Sequence, residues 1–124
     1  NENGGNIVNV ASIAAICGGK SGCAYTMAKH AVIGLTKNTA FTYRNNKIRC
    51  SAICPGGINT EMADPAIFAT ADQKGIQNAM LAMNFGVRSA EAFEIADVAL
   101  FLASDEAAVV NGAIVTADSG LTSF

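Results

Sequence analysis

The stretch Tyr25-Thr26-Met27-Ala28-Lys29 sets a phenol and an ammonium four residues apart. On a helix that spacing puts both on one face, about 6 Å apart along the axis. A free phenol ionises near pH ~10 and is a poor acid or base at neutrality. An ammonium held beside it favours the phenolate and brings proton exchange with a substrate oxygen toward working pH. Taken alone, the spacing also fits a tyrosine and a lysine merely packed on an amphipathic helix. Two neighbouring features sharpen it. Ser12 closes the apolar run Ile7-Val8-Asn9-Val10-Ala11, and its hydroxyl can hydrogen-bond a substrate oxygen and help hold developing charge. A second apolar run ends in Pro55-Gly56-Gly57-Ile58-Asn59-Thr60, where the glycines allow a ligand close to the backbone and Thr60 offers a hydroxyl.

These residues need elements to carry them. Ile7 to Ser12 is short, apolar and rich in β-branched residues, which predicts a buried strand. Gly18 to Gly22 reads as a loop. From Ala24 to Arg44 there is no proline, and Ala24, Ala28, Ala31, Val32, Leu35 and Ala40 recur at helical spacing, predicting a long helix with a slim packing face. Asn45-Asn46-Lys47 ends it, and Ile48 to Cys54 forms the second strand. Glu61 to Gly86 reads as one or two short helices with loops. Ser89 is the expected N-cap of a further helix, with Glu91 in its first turn and an almost wholly apolar stretch from Phe93 to Ser104. Ala113 to Ala117 is the third strand. Strands alternating with helices predict an α/β fold with a parallel sheet buried on both faces, thin enough to leave an unpaired edge.

Composition sets the outer bounds. The chain has 124 residues, 51% of them apolar and 15% charged, with a net charge of −2. That apolar share argues against disorder, and the acidic balance argues against binding duplex nucleic acid. No apolar run approaches the roughly 18 residues of a membrane span. The chain opens on Asn1-Glu2-Asn3-Gly4-Gly5, without an initiator Met, and is expected to carry no signal peptide and to be one partial domain cut from something longer.

Cys50 and Cys54 share a strand and stand roughly 13 Å apart on one face. That is too far for a mutual disulfide or a shared tetrahedral metal. Cys17 and Cys23 flank a glycine-rich loop and can in principle meet. All four are expected to be reduced and mostly buried, in the cytoplasm, with no metal site. Secondary candidates carry structural readings: His30 on another side of the helix, Asp64 and Asp72 solvated, and Met62, Met80 and Met83 as packing or as pocket lining. Lys47 and Arg49 read as a solvent-facing charge pair at a strand start.

Taken together, Ile7 to Ser12, Tyr25 to Lys29, Pro55 to Thr60, Glu94-Ile95-Ala96, Phe101 to Asp105 and Gly112 to Gly120 closely resemble the short-chain dehydrogenase/reductase family in order and spacing. The resemblance covers nearly the whole chain. It implies the C-terminal half of a Rossmann-like, doubly wound parallel sheet: three strands with flanking helices, all within residues 1–124. It implies an NAD(P)-dependent oxidoreductase moving hydride between nicotinamide and a ketone or secondary alcohol. Tyr25 would exchange the proton, Lys29 would assist it and bind the nicotinamide ribose, and Ser12 would orient the substrate. Pro55, Gly56, Ile58 and Thr60 would line the cofactor side, with Ile58 and Thr60 near the carboxamide. Residues 61–86 would cover the substrate.

The family's glycine-rich pyrophosphate turn is not among these residues, nor is the residue that selects NAD or NADP. Asp118-Ser119-Gly120 stands where many members have Asp-Gly-Gly. The expected partners are a small carbonyl or alcohol and a second copy of the chain, met through the helix from Ala24 to Arg44. A contrary expectation is an inactive fragment that serves only folding or oligomerisation.

Overall fold

The structure, a computed structural model, describes residues 3–61, 65–81 and 86–124, with all of their side chains except those of Ile67 and Phe68. Met62, Asp64 and Met83, singled out above, lie outside the described residues. The sheet is parallel, in the order β1-β2-β5, with β1 over Gly5–Val10, β2 over Ile48–Pro55 and β5 over Ile114–Ala117. A second, smaller pairing joins β3, Ile58–Asn59, in parallel to β4, Ala90–Glu91. The sequence patterns do not announce it, because two residues per strand carry no periodicity. Helices α1 (Cys23–Thr42), α2 (Pro65–Ala69), α3 (Gln73–Leu81) and α4 (Ala92–Ala103) complete the chain. No helix among the described residues is long and apolar enough to cross a membrane.

β2 lies in the middle and is buried from Cys50 to Pro55, as a strand covered on both faces must be. Successive side chains of a strand alternate between faces, so one face of β2 serves each helix. Cys54 packs with Ala11, Ala15, Val32 and Ile33 on the α1 side, and Ile53 packs with Ile95 and Leu102 on the α4 side. β1 is an edge strand, and the expectation of a buried strand there is corrected: none of its residues is buried, and Ile7 and Val10 stay 43% and 54% exposed, because strand and helix neighbours cover it only in part. All four cysteines are free, but only Cys50 and Cys54 are buried, whereas Cys23 is exposed at the start of α1. Burial holds both buried thiols above their usual ionisation range.

Two local expectations are corrected. α4 begins at Ala92 with Glu91, not Ser89, at the N-cap. The Glu91 N–H donates to Glu94 Oε2 at 2.9 Å, while Arg88 grips both Glu94 oxygens at 2.7 and 2.6 Å. The reciprocal capping box between Glu91 and Glu94, with Arg88 closed on Glu94, fixes the helix start at Ala92. Arg49, in turn, does not face solvent. Its guanidinium donates to the carbonyls of Leu102, Val110 and Ser104 at 2.9, 3.2 and 2.7 Å, closing the C-terminal end of α4. Helix ends leave carbonyls unpaired and attract cations, and β2 carries Arg49 to this one.

The grip on Glu94 makes the start of α4 sensitive to acid. The Arg88 hydrogen bonds, then that from the Glu91 N–H, lower the Glu94 pKa from 4.5 to about 2. A carboxyl with a depressed folded-state pKa stabilises above its unfolded value and loses that contribution as pH falls through the folded one. The stability measured by urea unfolding is therefore expected to fall as pH drops from 4.5 to about 2 in the wild type, with a shallower pH dependence over that interval in Glu94→Gln.

Candidate functional site

β1, β2 and β5 all end at the same edge of the sheet, the edge where open α/β sheets bind ligands. A cavity of about 250 Å³ opens there, lined by Val10, Ala11, Ser12, Tyr25, Lys29, Pro55, Gly56, Ile58 and Thr60. Every residue singled out from the sequence for catalysis or cofactor contact is in that lining. Three separate segments, remote in sequence, supply them.

Ser12 stands just past the end of β1, in extended backbone, and caps a short 3-10 turn over Ile13–Ala15. Its Oγ accepts from the Ala14 N–H at 3.1 Å. A hydroxyl that accepts can still donate, so its proton remains available to a substrate oxygen. The turn itself is buried, which anchors the hydroxyl on rigid structure.

Tyr25 and Lys29 project from the first turns of α1, as their spacing predicts. The Lys29 ammonium lies 5.6 Å from the centroid of the Tyr25 ring and donates to the Val10 carbonyl at 3.1 Å. The lysine is thereby tied to the end of β1, and Tyr25 remains 39% exposed at the cavity. His30, next in sequence, is turned away and bonds the Thr26 carbonyl at 2.9 Å.

What sets the height of α1 against β1 is a polar contact that pattern reading missed. Asn9 donates to Thr36 Oγ1 at 2.9 Å and to Cys50 Sγ at 3.6 Å, and fully buried Thr36 donates to the Val32 carbonyl at 2.7 Å. Buried polar groups must find partners, so sliding α1 by one turn would break the Asn9–Thr36 bond. The signal was present as an asparagine inside an apolar strand and a threonine on an apolar helix face. Neither says by itself which one meets the other.

The facing wall is made of backbone. A side chain at Gly56 would put its Cβ 2.9 Å from Asp118 Cβ, and one at Gly57 would meet Ser89 Oγ at 3.0 Å. Gly56 donates its N–H to Ala117 O at 3.1 Å, and the Gly57 carbonyl accepts from the Ala90 N–H at 2.8 Å. β3 then pairs with β4, and Asn59 donates to Glu91 Oε1 at 2.5 Å. Asp72, considered above as a solvated acid, accepts from the Gly75 N–H at 2.6 Å at the start of α3. No group of three metal-ligating side chains occurs among the described residues.

A parallel sheet whose strand ends enclose a tyrosine, a lysine and a serine defines the class: an open α/β fold with its ligand site at the carboxyl edge. The comparisons narrow this. A family model described as enoyl-(acyl carrier protein) reductase matches residues 1–122. The chain belongs to the short-chain dehydrogenase/reductase family. It is 42% identical to 3beta-hydroxysteroid dehydrogenase 2 of Eggerthella lenta, over 98% of this chain and 46% of that one. It is 40% identical to dehydrogenase/reductase SDR family member 6 of Rattus norvegicus, over 96% and 49%. Among solved structures, levodione reductase superposes with a TM-score of 0.76 at 38% identity, covering 94% of this chain and 46% of that one. A candidate 2-deoxy-d-gluconate 3-dehydrogenase of Agrobacterium tumefaciens, solved with bound NADP, also gives 0.76, at 35% identity over 98% and 48%. The chain spans about half the length of the curated relatives it matches.

Proposed function

We propose that this chain carries the catalytic half of an NAD(P)-dependent oxidoreductase acting on a small ketone or secondary alcohol. The observation that carries the reading is the one cavity shared by Ser12, Tyr25, Lys29 and the segment of Pro55, Gly56, Ile58 and Thr60. The Tyr25 hydroxyl gives the proton to a carbonyl oxygen in reduction and takes it back in oxidation. The Lys29 ammonium, fixed by the Val10 carbonyl, stabilises the negative charge that grows on the phenol oxygen as its proton leaves. The Ser12 hydroxyl, with its oxygen already accepting from Ala14, donates to the substrate oxygen and orients it.

Gly56, Ile58 and Thr60 line the cavity together with Pro55, and Gly56 offers it bare backbone. A nicotinamide bound there supplies or accepts the hydride. Lys29, Ile58 and Thr60 would hold its ribose and carboxamide side, with Pro55 and Gly56 closing the wall. The NADP found in one structural relative supports a nicotinamide cofactor. We also infer that a second copy meets α1, whose exposed Met27, Leu35 and Phe41 suit an apolar interface. The contrary expectation, a fragment serving only folding or oligomerisation, leaves the convergence of the three catalytic-type side chains without a reason.

The test is turnover. The complete native chain, given NADH or NADPH and a panel of ketones, is expected to oxidise one of the two reduced cofactors in a substrate-dependent way. Absence of turnover with every ketone and, in the reverse direction, every secondary alcohol of the panel would overturn the reading.

A further inference from the structure

We propose that Asp118 is a positioning residue for the cofactor-side wall, acting through Gly56 without touching the cavity. The inference rests on the cofactor reading given above. Asp118 is 8% exposed and follows β5. Its Oδ1 accepts from the Gly120 N–H at 3.0 Å, and its Oδ2 accepts from the Thr122 N–H and hydroxyl at 2.8 and 2.6 Å. The turn needs this support, because Ser119 and Gly120 both have left-handed backbone, at φ 55° and 84°. For a serine that conformation costs free energy that neighbouring bonds must offset.

The locked turn is what Gly56 rests on. A Cβ at Gly56 would lie 2.9 Å from Asp118 Cβ and 3.0 Å from Asp118 Cα, so the two backbones are in contact with no side chain between them. Asp118 itself lines a different cavity, with Arg88, Glu94 and Thr116, behind the wall. On the opposite flank Gly57 is held by Ala90 and backed by Ser89. The wall has no bulky side chain of its own at these two positions, so its placement is set by the turn after β5 and by the head of α4. Loss of the carboxylate frees the turn, and the wall then drifts relative to Ser12 and Tyr25.

The experiment compares wild type, Asp118→Asn and Thr122→Val in the complete native chain. Asparagine keeps the shape but cannot accept at both positions, and valine removes only the Thr122 hydroxyl bond. Two readouts are taken: amide hydrogen exchange at 56–60 against the centre of β2, and the KM for NADH or NADPH against kcat. For Asp118→Asn, exchange at 56–60 is expected to quicken by about tenfold with the β2 centre unchanged, and cofactor KM to rise by a similar factor, with kcat changing less. Thr122→Val shifts both in the same direction and by less, and decides the matter if Asp118→Asn fails to fold. Unchanged exchange, equal loosening everywhere, or local loosening without a change in cofactor KM each overturns the proposal. A wild type without turnover overturns the cofactor reading instead, and the proposed hold on the wall then stands or falls on the exchange data.

Discussion

Tyr25→Phe is expected to lower kcat by a factor of about 10²–10⁴, the usual worth of a positioned acid or base. Phenylalanine keeps the ring beside the Lys29 ammonium, 5.6 Å from its centroid, and removes only the hydroxyl. The Lys29 bond to Val10 O and the α1 packing are untouched, so cofactor binding and thermal stability should stay within a few tenths of a kcal/mol, or ~0.5, of wild type. The measurement is single-turnover hydride transfer alongside a binding titration with NADH or NADPH. A variant that turns over at the wild-type rate removes Tyr25 from the reaction. A variant that loses binding and turnover together would point to a role in shape instead of proton transfer.

The second large effect concerns stability. Arg49→Met is expected to cost about 3 kcal/mol, because two carbonyls at the end of α4 and that of Val110 beyond it lose a charged donor in a half-buried place. Methionine preserves most of the stem's packing, so the loss reports the guanidinium. Arg49→Lys should recover less than half of it, since a single ammonium cannot reach Leu102, Val110 and Ser104 together with planar geometry. Urea unfolding with an unchanged slope and a lowered midpoint would register both. A cost below ~0.5 kcal/mol for Arg49→Met would restore the view of Arg49 as an ordinary surface charge.

These two residues mark how far sequence reasoning reaches. Tyr25 and Lys29 are four apart on one helix, so backbone geometry alone brings them together, and the structure agrees. Ser12 and Pro55 each end an apolar run, and because parallel strands end on a common edge, Ser12 meets Pro55, Gly56, Ile58 and Thr60 in one cavity. Local chemistry within a few residues, or a symmetry of the sheet, was enough in each case. Arg49 was misread because its partners are more than fifty residues away and are main-chain carbonyls, which leave no mark in residue type. Ser89 was misread for a related reason: the helix start was settled by Glu94, which accepts from the Glu91 N–H and is closed on by Arg88.

The residues themselves therefore determined the parallel α/β architecture, the three strands, the long helix and the side chains at the cavity. Hydrophobic periodicity and short-range spacing carry that information, because they act through the chain's own geometry. Only the tertiary structure decided that Thr36 meets Asn9, that Arg49 closes α4, and that Asp118 stands against Gly56. Those contacts join groups distant in sequence by hydrogen bonds and close approach, and such pairings exist only once the sheet has brought the segments within a few ångströms.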